Sequence, residues 1–381
     1  MRLAYFAHSW LSDWNHGNAH FLRGLARALH RRGHQVRLYE PMPGGHPGWS
    51  LGHLLAEPAG PASVQQMRAA FPELDIRLYG PHPPQLESPP PLHGLPWVEH
   101  WEQELRGVDV VLVHEWNEVE QFAWLLRQRR RYGFRLLLHD THHRAWSEPA
   151  MLDRLPLAEL DGVIAFGESL RRLYAVHGRA RRTYTLQEAA DIGHFRPLPS
   201  IPSTHDVVWV GNWGDDERTG ELDEYLFAPA AQTRARTCVY GVRYPPAARA
   251  RLAAAAISYG GYLANLEVPA AFARARVSVH VPRAPYARNL PGIPTIRVFE
   301  ALACGVALLS APWADSEQLF QAGDDYWPAR DGREMTALLR QLLSHPEQRI
   351  LLGRHAVASI AALHTCAHRA QTLEAICHDL D

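Results

Sequence analysis

The sequence contains no lysine, and all 39 of its basic residues are arginines. This absence excludes a Schiff-base lysine and the lysine of a Walker-type phosphate loop. Any phosphate that the protein binds must therefore be held by arginine side chains or by backbone N–H groups. Arginine suits this task because its planar guanidinium can donate two parallel hydrogen bonds to an oxyanion.

Cysteine is scarce, and long apolar runs are missing. The four cysteines lie far apart and show no C-x-x-C spacing, so we expect free thiols in a reducing compartment rather than disulfides or a zinc site. No apolar run approaches the roughly 18 residues that span a bilayer, and the N-terminus shows no signal-peptide pattern. We predict a cytoplasmic protein without a transmembrane segment.

Charge of one sign is not in excess either. The formal net charge is -1, which leaves no basic footprint for nucleic acid and excludes that class of partner. The 381 residues exceed the size at which one hydrophobic core keeps growing, and 46% of them are hydrophobic. The chain therefore has material for two domains.

Short apolar runs alternate with amphipathic helical segments along most of the chain, from Leu3–Ala7 onward. This alternation is typical of parallel α/β sheets. We predict two doubly wound Rossmann-like domains facing a central cleft. The predicted organisation is an N-terminal domain over residues 1–195, a proline-rich linker over 196–204, a C-terminal domain over 205–360, and a helical segment over 361–381 that packs back toward the N-terminal domain.

The stretch between Pro41 and Pro96 interrupts this pattern, because it carries 13 prolines and little periodicity. We expect loops there and one helix near Ala62–Phe71.

The segment between Pro291 and Pro312 predicts a loop, a short helix over Thr295–Ala303 and a buried strand. A helix start offers unpaired N–H groups and a positive dipole end, so it can hold a phosphate. Glu300 lies on this otherwise apolar helix. Its carboxylate could accept hydrogen bonds from the vicinal hydroxyls of a ligand, or it could pair with an arginine.

Open parallel sheets bind ligands beyond the carboxyl ends of their strands. Polar residues follow the predicted strands at several such ends. The candidates are Gly17, Asn18, His114, Asn117, His139 and His142 in the first domain, and Gly211, Asn212, Arg218, Arg243 and Tyr262 in the second.

Several of these candidates have two interpretations. Gly211 and Asn212 can bring backbone close to a diphosphate that Arg218 would neutralise, but Arg218 could equally form a surface ion pair with Asp215, Asp216 or Glu217. Tyr262 could lie against a nucleobase or be buried in the core. His114 can titrate near neutral pH or donate to a substrate hydroxyl.

Metal binding is not predicted. The cluster formed by His139, Asp140, His142 and His143 could suggest a metal, but it lies at a strand end without the firm geometry that metal ligands usually have, and the chain has 23 histidines. The Asp-x-Asp pattern of metal–diphosphate sites occurs only at Asp379–Asp381. A Gly-x-Ser-x-Gly elbow is absent, which argues against Ser-His-Asp catalysis.

Several motifs together resemble the donor-binding domain of retaining GT-B glycosyltransferases of the group 1 type. They are Phe299–Gly305 followed by Val306–Ser310, Tyr259–Leu263 and Glu267–Ala275. The resemblance is strongest to the CgeB-like branch, in which an arginine stands three residues before the glutamate, as Arg297 does here. The N-terminal half matches more loosely, through His114–Asn117 and Glu188–Pro197.

This resemblance implies a metal-independent retaining hexosyltransferase that needs no cofactor and moves a sugar from a UDP, GDP or dTDP donor to an unknown acceptor. Glu300 would bind the ribose, and Tyr262 would lie near the base. His114 would lie near the transferring sugar. The diphosphate would be held by Thr295, Ile296, Arg297 and Arg218, with Arg243 as a further candidate.

One position departs from the family pattern. The wider family has Glu-x7-Glu, and the first of these positions is Gly292 here. A nucleotide-sugar-binding protein with impaired catalysis and a sugar-nucleotide epimerase on the same fold are therefore kept as alternatives.

Overall fold

The alternation of strands and helices produces two separate parallel sheets. The computed structural model describes residues 1–42, 49–80, 92–176, 180–214 and 216–380. The chain divides into a first unit, Met1–Gln187 with Ala367–Asp381, and a second unit, Glu188–Cys366. The sequence placed the first boundary later, in the proline-rich segment over 196–204.

The first unit contains seven strands and the helices between them. In chain order these are β1 (Arg2–Phe6), α1 (Ala19–Arg31), β2 (Gln35–Pro41), α2 (Trp49–Ala56), α3 (Gly60–Ala70), β3 (Asp75–Tyr79), α4 (Trp101–Leu105), β4 (Val110–His114), α5 (Val119–Tyr132), β5 (Arg135–Asp140), α6 (Arg144–Ser147), α7 (Ala150–Arg154), β6 (Gly162–Ala165), α8 (Glu168–Val176) and β7 (Thr183–Thr185).

The second unit repeats this architecture with six strands. Its elements are β8 (His205–Val210), α9 (Thr219–Leu222), α10 (Ala228–Thr233), β9 (Thr237–Tyr240), α11 (Pro246–Ala254), β10 (Ser258–Gly261), α12 (Val268–Ala273), β11 (Ala275–His280), α13 (Ala284–Arg288), α14 (Ile296–Ala303), β12 (Ala307–Ser310), β13 (Trp327–Pro328), α15 (Gly332–Ser344) and α16 (Pro346–Leu363). The last helix, α17 (Cys366–Asp379), returns the chain to the first unit.

Both sheets are doubly wound, and neighbouring strands pair in parallel. The strand order is β3-β2-β1-β4-β5-β6-β7 in the first unit and β10-β9-β8-β11-β12-β13 in the second. The order reverses between β1 and β4, and again between β8 and β11. Such reversals open a crevice at the carboxyl ends of the strands, where ligands bind in folds of this kind.

Apolar runs buried on both faces account for the central strands. Every residue of β4 is buried, and Val207, Val239, Val277 and Leu309 of four strands share one core in the second unit. Such runs are expected of parallel strands covered by helices on both faces. The predicted pair of doubly wound domains is therefore confirmed.

The proline-rich stretch is more ordered than expected. Its described residues form α2, α3 and the edge strand β3, where the sequence predicted only loops and one helix. β3 is buried on alternate residues only, so its short run lacks the continuous apolar character of the central strands. Residues 43–48 and 81–91 lie outside the described part.

No described helix combines the length and the apolar character that a membrane span requires.

Candidate functional site

Two arginines converge where the strand order of the second unit reverses. Arg218 lies beyond β8 and Arg283 lies beyond β11, and both side chains approach Gly214. A Cβ atom added to Gly214 would lie 3.2 Å from Nε of Arg218 and 3.4 Å from Nε of Arg283. Gly214 also has a φ of +85°, which favours glycine. The absence of a side chain there leaves room for two guanidinium groups.

Backbone carbonyls fix the position of Arg218. Its two terminal nitrogens donate to the carbonyl oxygens of Val281 (2.8 Å) and Asn212 (2.5 Å), and the guanidinium lies 5.0 Å from the ring centroid of Trp209. Burial and the charge of Arg283 lower the pKa of Arg218 to about 9, which leaves it charged at neutral pH. Its Nε is buried and has no partner in the part of the chain that the structure describes. An anionic ligand would offset this buried positive charge.

Arg283 has only a partial counter-charge. Its guanidinium lies 3.3 Å from the carboxylate of Glu217, and both side chains are partly exposed. Such a pair is screened by water and is easily rearranged. Sequence reasoning did not single out Arg283, although it comes directly after β11, a position at which the strand-end rule would have found it.

The helix α14 supplies a third arginine and the central carboxylate. Glu300 is fully buried among the apolar residues of α14, and the guanidinium of Arg297 contacts its carboxylate. The pairing with an arginine, which the sequence left open, is thus present in the structure. The binding of a ribose by Glu300 stays a prediction.

A second buried carboxyl group lies close to Glu300. Burial and the charge of Glu300 raise the pKa of Glu188 well above its ordinary value, whereas Arg297 lowers it. Glu188 is 2% exposed, and its raised pKa favours the protonated form. The sequence placed Glu188 only in a loosely matching motif, because nothing in the local pattern shows that it lies near a helix more than 100 residues later.

The start of α14 carries an unusual backbone conformation. Thr295 has a φ of 65°, which is rare for a β-branched residue and typical of functional loops. Its Oγ1 lies 3.4 Å from Nε2 of His280, whose Nδ1 lies 2.8 Å from Oγ of Ser310. Burial and the charge of Arg218 lower the pKa of His280 to about 3, so this imidazole is neutral. The side chain of Ile296 is buried, which leaves its backbone for the predicted contact with a phosphate.

The structure explains the glycine at position 292. Gly292 has a φ of +91°, and a Cβ atom there would lie 2.7 Å from Oε1 of Glu317 and 2.9 Å from Oγ of Ser316. A glutamate at position 292 would clash with these side chains. The carboxylate of Glu317, which comes from a later loop, lies where a side chain at position 292 would begin.

The remaining candidates of the second unit lie in loops that follow strands. The Gly211 carbonyl accepts a hydrogen bond from the Tyr244 hydroxyl (3.0 Å), and Oδ1 of Asn212 accepts one from the Val242 N–H (2.9 Å). These bonds join the loops after β8 and β9. Arg243 is exposed at a φ of 65°, and Tyr262 is half-buried just after β10. Their roles in ligand binding stay predictions.

In the first unit, His114 ends β4 and is completely buried. Its Nε2 lies 2.9 Å from Oγ1 of Thr141 and 3.1 Å from a carboxylate oxygen of Glu115. The Asn18 amide donates to the carbonyl of Thr141 (3.0 Å). The structure thus brings His114 and Asn18 together around Thr141, and the predicted contact of His114 with a sugar stays a prediction.

The other first-unit candidates have mostly internal contacts. The Asn117 amide donates to the carbonyls of Phe6 and His114 and accepts from the Tyr79 hydroxyl. The buried ring of His139 contacts the hydroxyl of Tyr5. Gly17 and His142 are half-buried, and the His142 ring lies 5.1 Å from that of Trp116. Asn117 and His139 thus connect strands.

Comparisons with known proteins agree with this fold. Residues 218–375 match a family model described as glycosyl transferase-like. No curated protein is similar enough in sequence to give a match.

Solved structures similar to this chain belong to proteins with the GT-B fold. Sucrose-phosphate synthase from Thermosynechococcus elongatus is 15% identical with a TM-score of 0.66, and the match covers 100% of this chain and 99% of that one. Anabaena HepE in complex with UDP-glucose is 12% identical with a TM-score of 0.68, and both chains are covered completely. T4 phage BGT with its UDP-glucose substrate is 13% identical with a TM-score of 0.62, again with complete coverage. At these identities the similarity shows the fold.

Proposed function

We propose that this protein is a glycosyltransferase that moves a sugar from a nucleoside diphosphate sugar to an acceptor hydroxyl, with retention of anomeric configuration. The observation that carries the proposal is the convergence of Arg218 and Arg283 on Gly214 at the strand-order reversal of the second unit. The family match includes both of these arginines as well as Arg297 and Glu300. UDP-sugars are the favoured donors, because HepE and BGT have been solved with UDP-glucose.

In the proposed reaction, the bond between the anomeric carbon and the β-phosphate oxygen breaks, and its electron pair stays on that oxygen. Arg218, Arg283 and the N–H groups at the start of α14 stabilise the growing negative charge. The acceptor oxygen bonds to the anomeric carbon, and its proton passes to the departing phosphate. The guanidinium groups neutralise the diphosphate in the way that a metal ion does elsewhere, so this step is metal-independent. No covalent intermediate is invoked.

Glu300 is proposed to accept hydrogen bonds from the ribose hydroxyls, because two vicinal donors match one carboxylate. Arg297 already contacts this carboxylate, and its position three residues earlier places it in the first turn of α14. It can therefore serve both groups, holding Glu300 and facing the diphosphate. The protonated form of Glu188 avoids a second negative charge beside Glu300.

The acceptor is proposed to be bound by residues of the first unit. The sequence candidates for this role are Gly17, Asn18, Asn117, His139 and His142. Gly17, Asn18 and His142 are half-buried and so retain surface for a ligand, whereas Asn117 and His139 support the strands beneath. The resemblance to the CgeB-like branch stays a prediction.

A thermal-shift screen of UDP-, GDP- and dTDP-sugars tests the proposal, because a ligand that binds the folded state raises the melting temperature in proportion to ln(1 + [L]/Kd). We expect a UDP-sugar to give the largest shift. Incubation of that donor with a panel of acceptors, followed by NMR of the anomeric proton, should then show a transferred sugar of unchanged configuration.

Each alternative outcome has a distinct result. An altered sugar nucleotide formed without acceptor would indicate an epimerase. Binding without transfer or hydrolysis would indicate a nucleotide-sugar-binding protein, for which the glycine at position 292 is the motivating observation. The absence of any shift with all donors would contradict nucleotide-sugar binding altogether.

A further inference from the structure

Three histidines meet in the first unit where its strand order reverses between β1 and β4. His8 follows β1, His16 lies in the loop before α1, and His114 ends β4. One ring nitrogen from each lies within 4.8 Å of the others. The ring centroids are 4.4 Å (His8–His16), 5.3 Å (His16–His114) and 5.6 Å (His8–His114) apart. All three side chains are buried, with 2%, 6% and 0% exposure in sequence order.

The hydrogen bonds of His114 leave one nitrogen available. Its Nε2 is near Glu115 and Thr141, at 3.1 and 2.9 Å, whereas its buried Nδ1 has no partner among the described residues. A metal-binding histidine usually has this arrangement, in which one ring nitrogen binds the metal and the other donates to a carboxylate. Glu115 is in the position of that carboxylate.

His16 leaves even more hydrogen-bonding capacity unused. Both of its ring nitrogens are buried and have no hydrogen-bond partner within the described ranges. An unpaired buried polar group is costly, so native structures rarely contain one without a reason. A metal ion would satisfy His16 and His114 together.

The loop that carries His8 and His16 is fixed from two sides. The side-chain carboxyl group of Glu40 accepts hydrogen bonds from the N–H groups of Trp10 and Leu11. The buried guanidinium of Arg23 donates to the carbonyls of Trp10 (2.7 Å) and Ser12 (3.0 Å). Ligands held by such second contacts lose little entropy on binding a metal.

We propose that His8, His16 and His114 bind a divalent transition metal ion, zinc in preference, with His114 coordinating through Nδ1. Three imidazoles with a fourth position open to water or another ligand form a set that zinc commonly takes. Zn–N bonds of about 2.0–2.1 Å in a tetrahedron place the nitrogens about 3.4 Å apart. The ring nitrogens, which lie within 4.8 Å of one another, would move closer together on binding the ion.

The proposed metal ligands belong to the first unit, whereas the arginines assigned to the diphosphate belong to the second. It assigns His114 as a metal ligand in place of the predicted direct contact with a sugar. The sequence pointed to a different cluster and predicted no metal. Two residues of that cluster instead form internal contacts, with His139 on Tyr5 and Asp140 accepting from the Tyr174 hydroxyl.

Cobalt titration of the chelator-treated full-length protein tests the inference, because tetrahedral Co²⁺ absorbs visible light and can replace Zn²⁺. We expect one Co²⁺ per chain with intense visible bands, and displacement by one equivalent of Zn²⁺. His16→Ala and the milder His16→Gln should each weaken Co²⁺ binding at least tenfold. Glu115→Gln should weaken it roughly 10- to 100-fold. His20→Ala is the matched control, since His20 is a buried histidine of α1 outside the cluster.

Two results would overturn the proposal: wild-type protein that shows no visible cobalt band, or a band of equal affinity in both His16 variants and in His20→Ala. A sulfur-to-cobalt charge-transfer band would place the metal on cysteine and overturn it as well. The thermal unfolding transition of each variant, followed by circular dichroism without nucleotide, reports whether the chain is folded. Because cobalt is added without nucleotide, failure here and failure of the proposed transferase activity are distinguishable.

Discussion

Removing Arg283 should weaken nucleoside diphosphate binding with little effect on folding. Its side chain is only 20% exposed, it points at Gly214 beside Arg218, and its one described ion pair, with Glu217, is partly solvated. A hydrogen bond to a charged group contributes about 1.5–3 kcal/mol. Arg283→Ala should therefore raise the Kd for UDP roughly 10- to 150-fold, since every 1.4 kcal/mol is tenfold.

Isothermal titration calorimetry with UDP and UMP measures this effect directly. The loss should be large for UDP and small for UMP, because Arg283 is assigned to the diphosphate. Arg288→Ala is the matched control. Arg288 ends α13, the short helix that begins directly after Arg283, and its side chain is 67% exposed and pairs with Glu221 at 2.6 Å. Equal UDP affinities in the two variants, or an equal loss for UMP, would refute the assignment of Arg283.

Three further predictions concern a ligand contact, a glycine and a buried acid. Glu300→Ala should weaken UDP binding at least about tenfold by removing a charged hydrogen-bond acceptor. Glu267→Ala, which removes an exposed carboxylate, should leave the affinity for UDP unchanged. Equal affinities of the two variants in calorimetry would contradict the binding of the ribose by Glu300. Gly292→Ala should lower the free energy of urea unfolding by roughly 1–3 kcal/mol, because it adds a clash with Glu317 to the strain of a positive φ. Gly323→Ala, at a φ of +99° with open space around it, should cost only about 1 kcal/mol, and equal costs would remove the clash from the explanation. Burial raises the pKa of Glu40 from 4.5 to about 8. The folded state therefore keeps a proton that the unfolded state loses, so Glu40 lowers the stability of the protein as the pH rises from 4.5 to 8. Glu40→Gln should flatten this part of the plot of melting temperature against pH. An unchanged slope would contradict the raised pKa of Glu40.

The central strands could be predicted because a strand that is covered by helices on both faces has a continuous run of apolar residues. Strand β4 illustrates this, since its run Val-Val-Leu-Val-His is buried at every position. Strand β3 could not be found in the same way, because it lies at a sheet edge and is buried on one face only. The sequence of β3 shows only an alternation of buried and partly exposed residues over five positions, within a stretch rich in proline.

The residues of the candidate site also differ in whether the sequence alone could single them out. Arg218, Thr295 and Glu300 could be singled out as candidates from the sequence, because each lies after a predicted strand or at or within the short predicted helix. Arg283 follows β11, so the strand-end rule could have found it as well. Glu188 and the cluster of three histidines acquire their significance only through neighbours that are distant in sequence. For example, His8 and His114 come together because β1 and β4 are adjacent, which depends on strand order rather than on any local pattern.

A crystal structure of the protein with bound UDP would show where the diphosphate and the ribose bind. We predict the β-phosphate within roughly 3 Å of the guanidinium groups of Arg218 and Arg283 over Gly214, with the ribose hydroxyls on Glu300. A diphosphate bound away from Gly214, with no ribose hydroxyl on Glu300, would contradict this prediction.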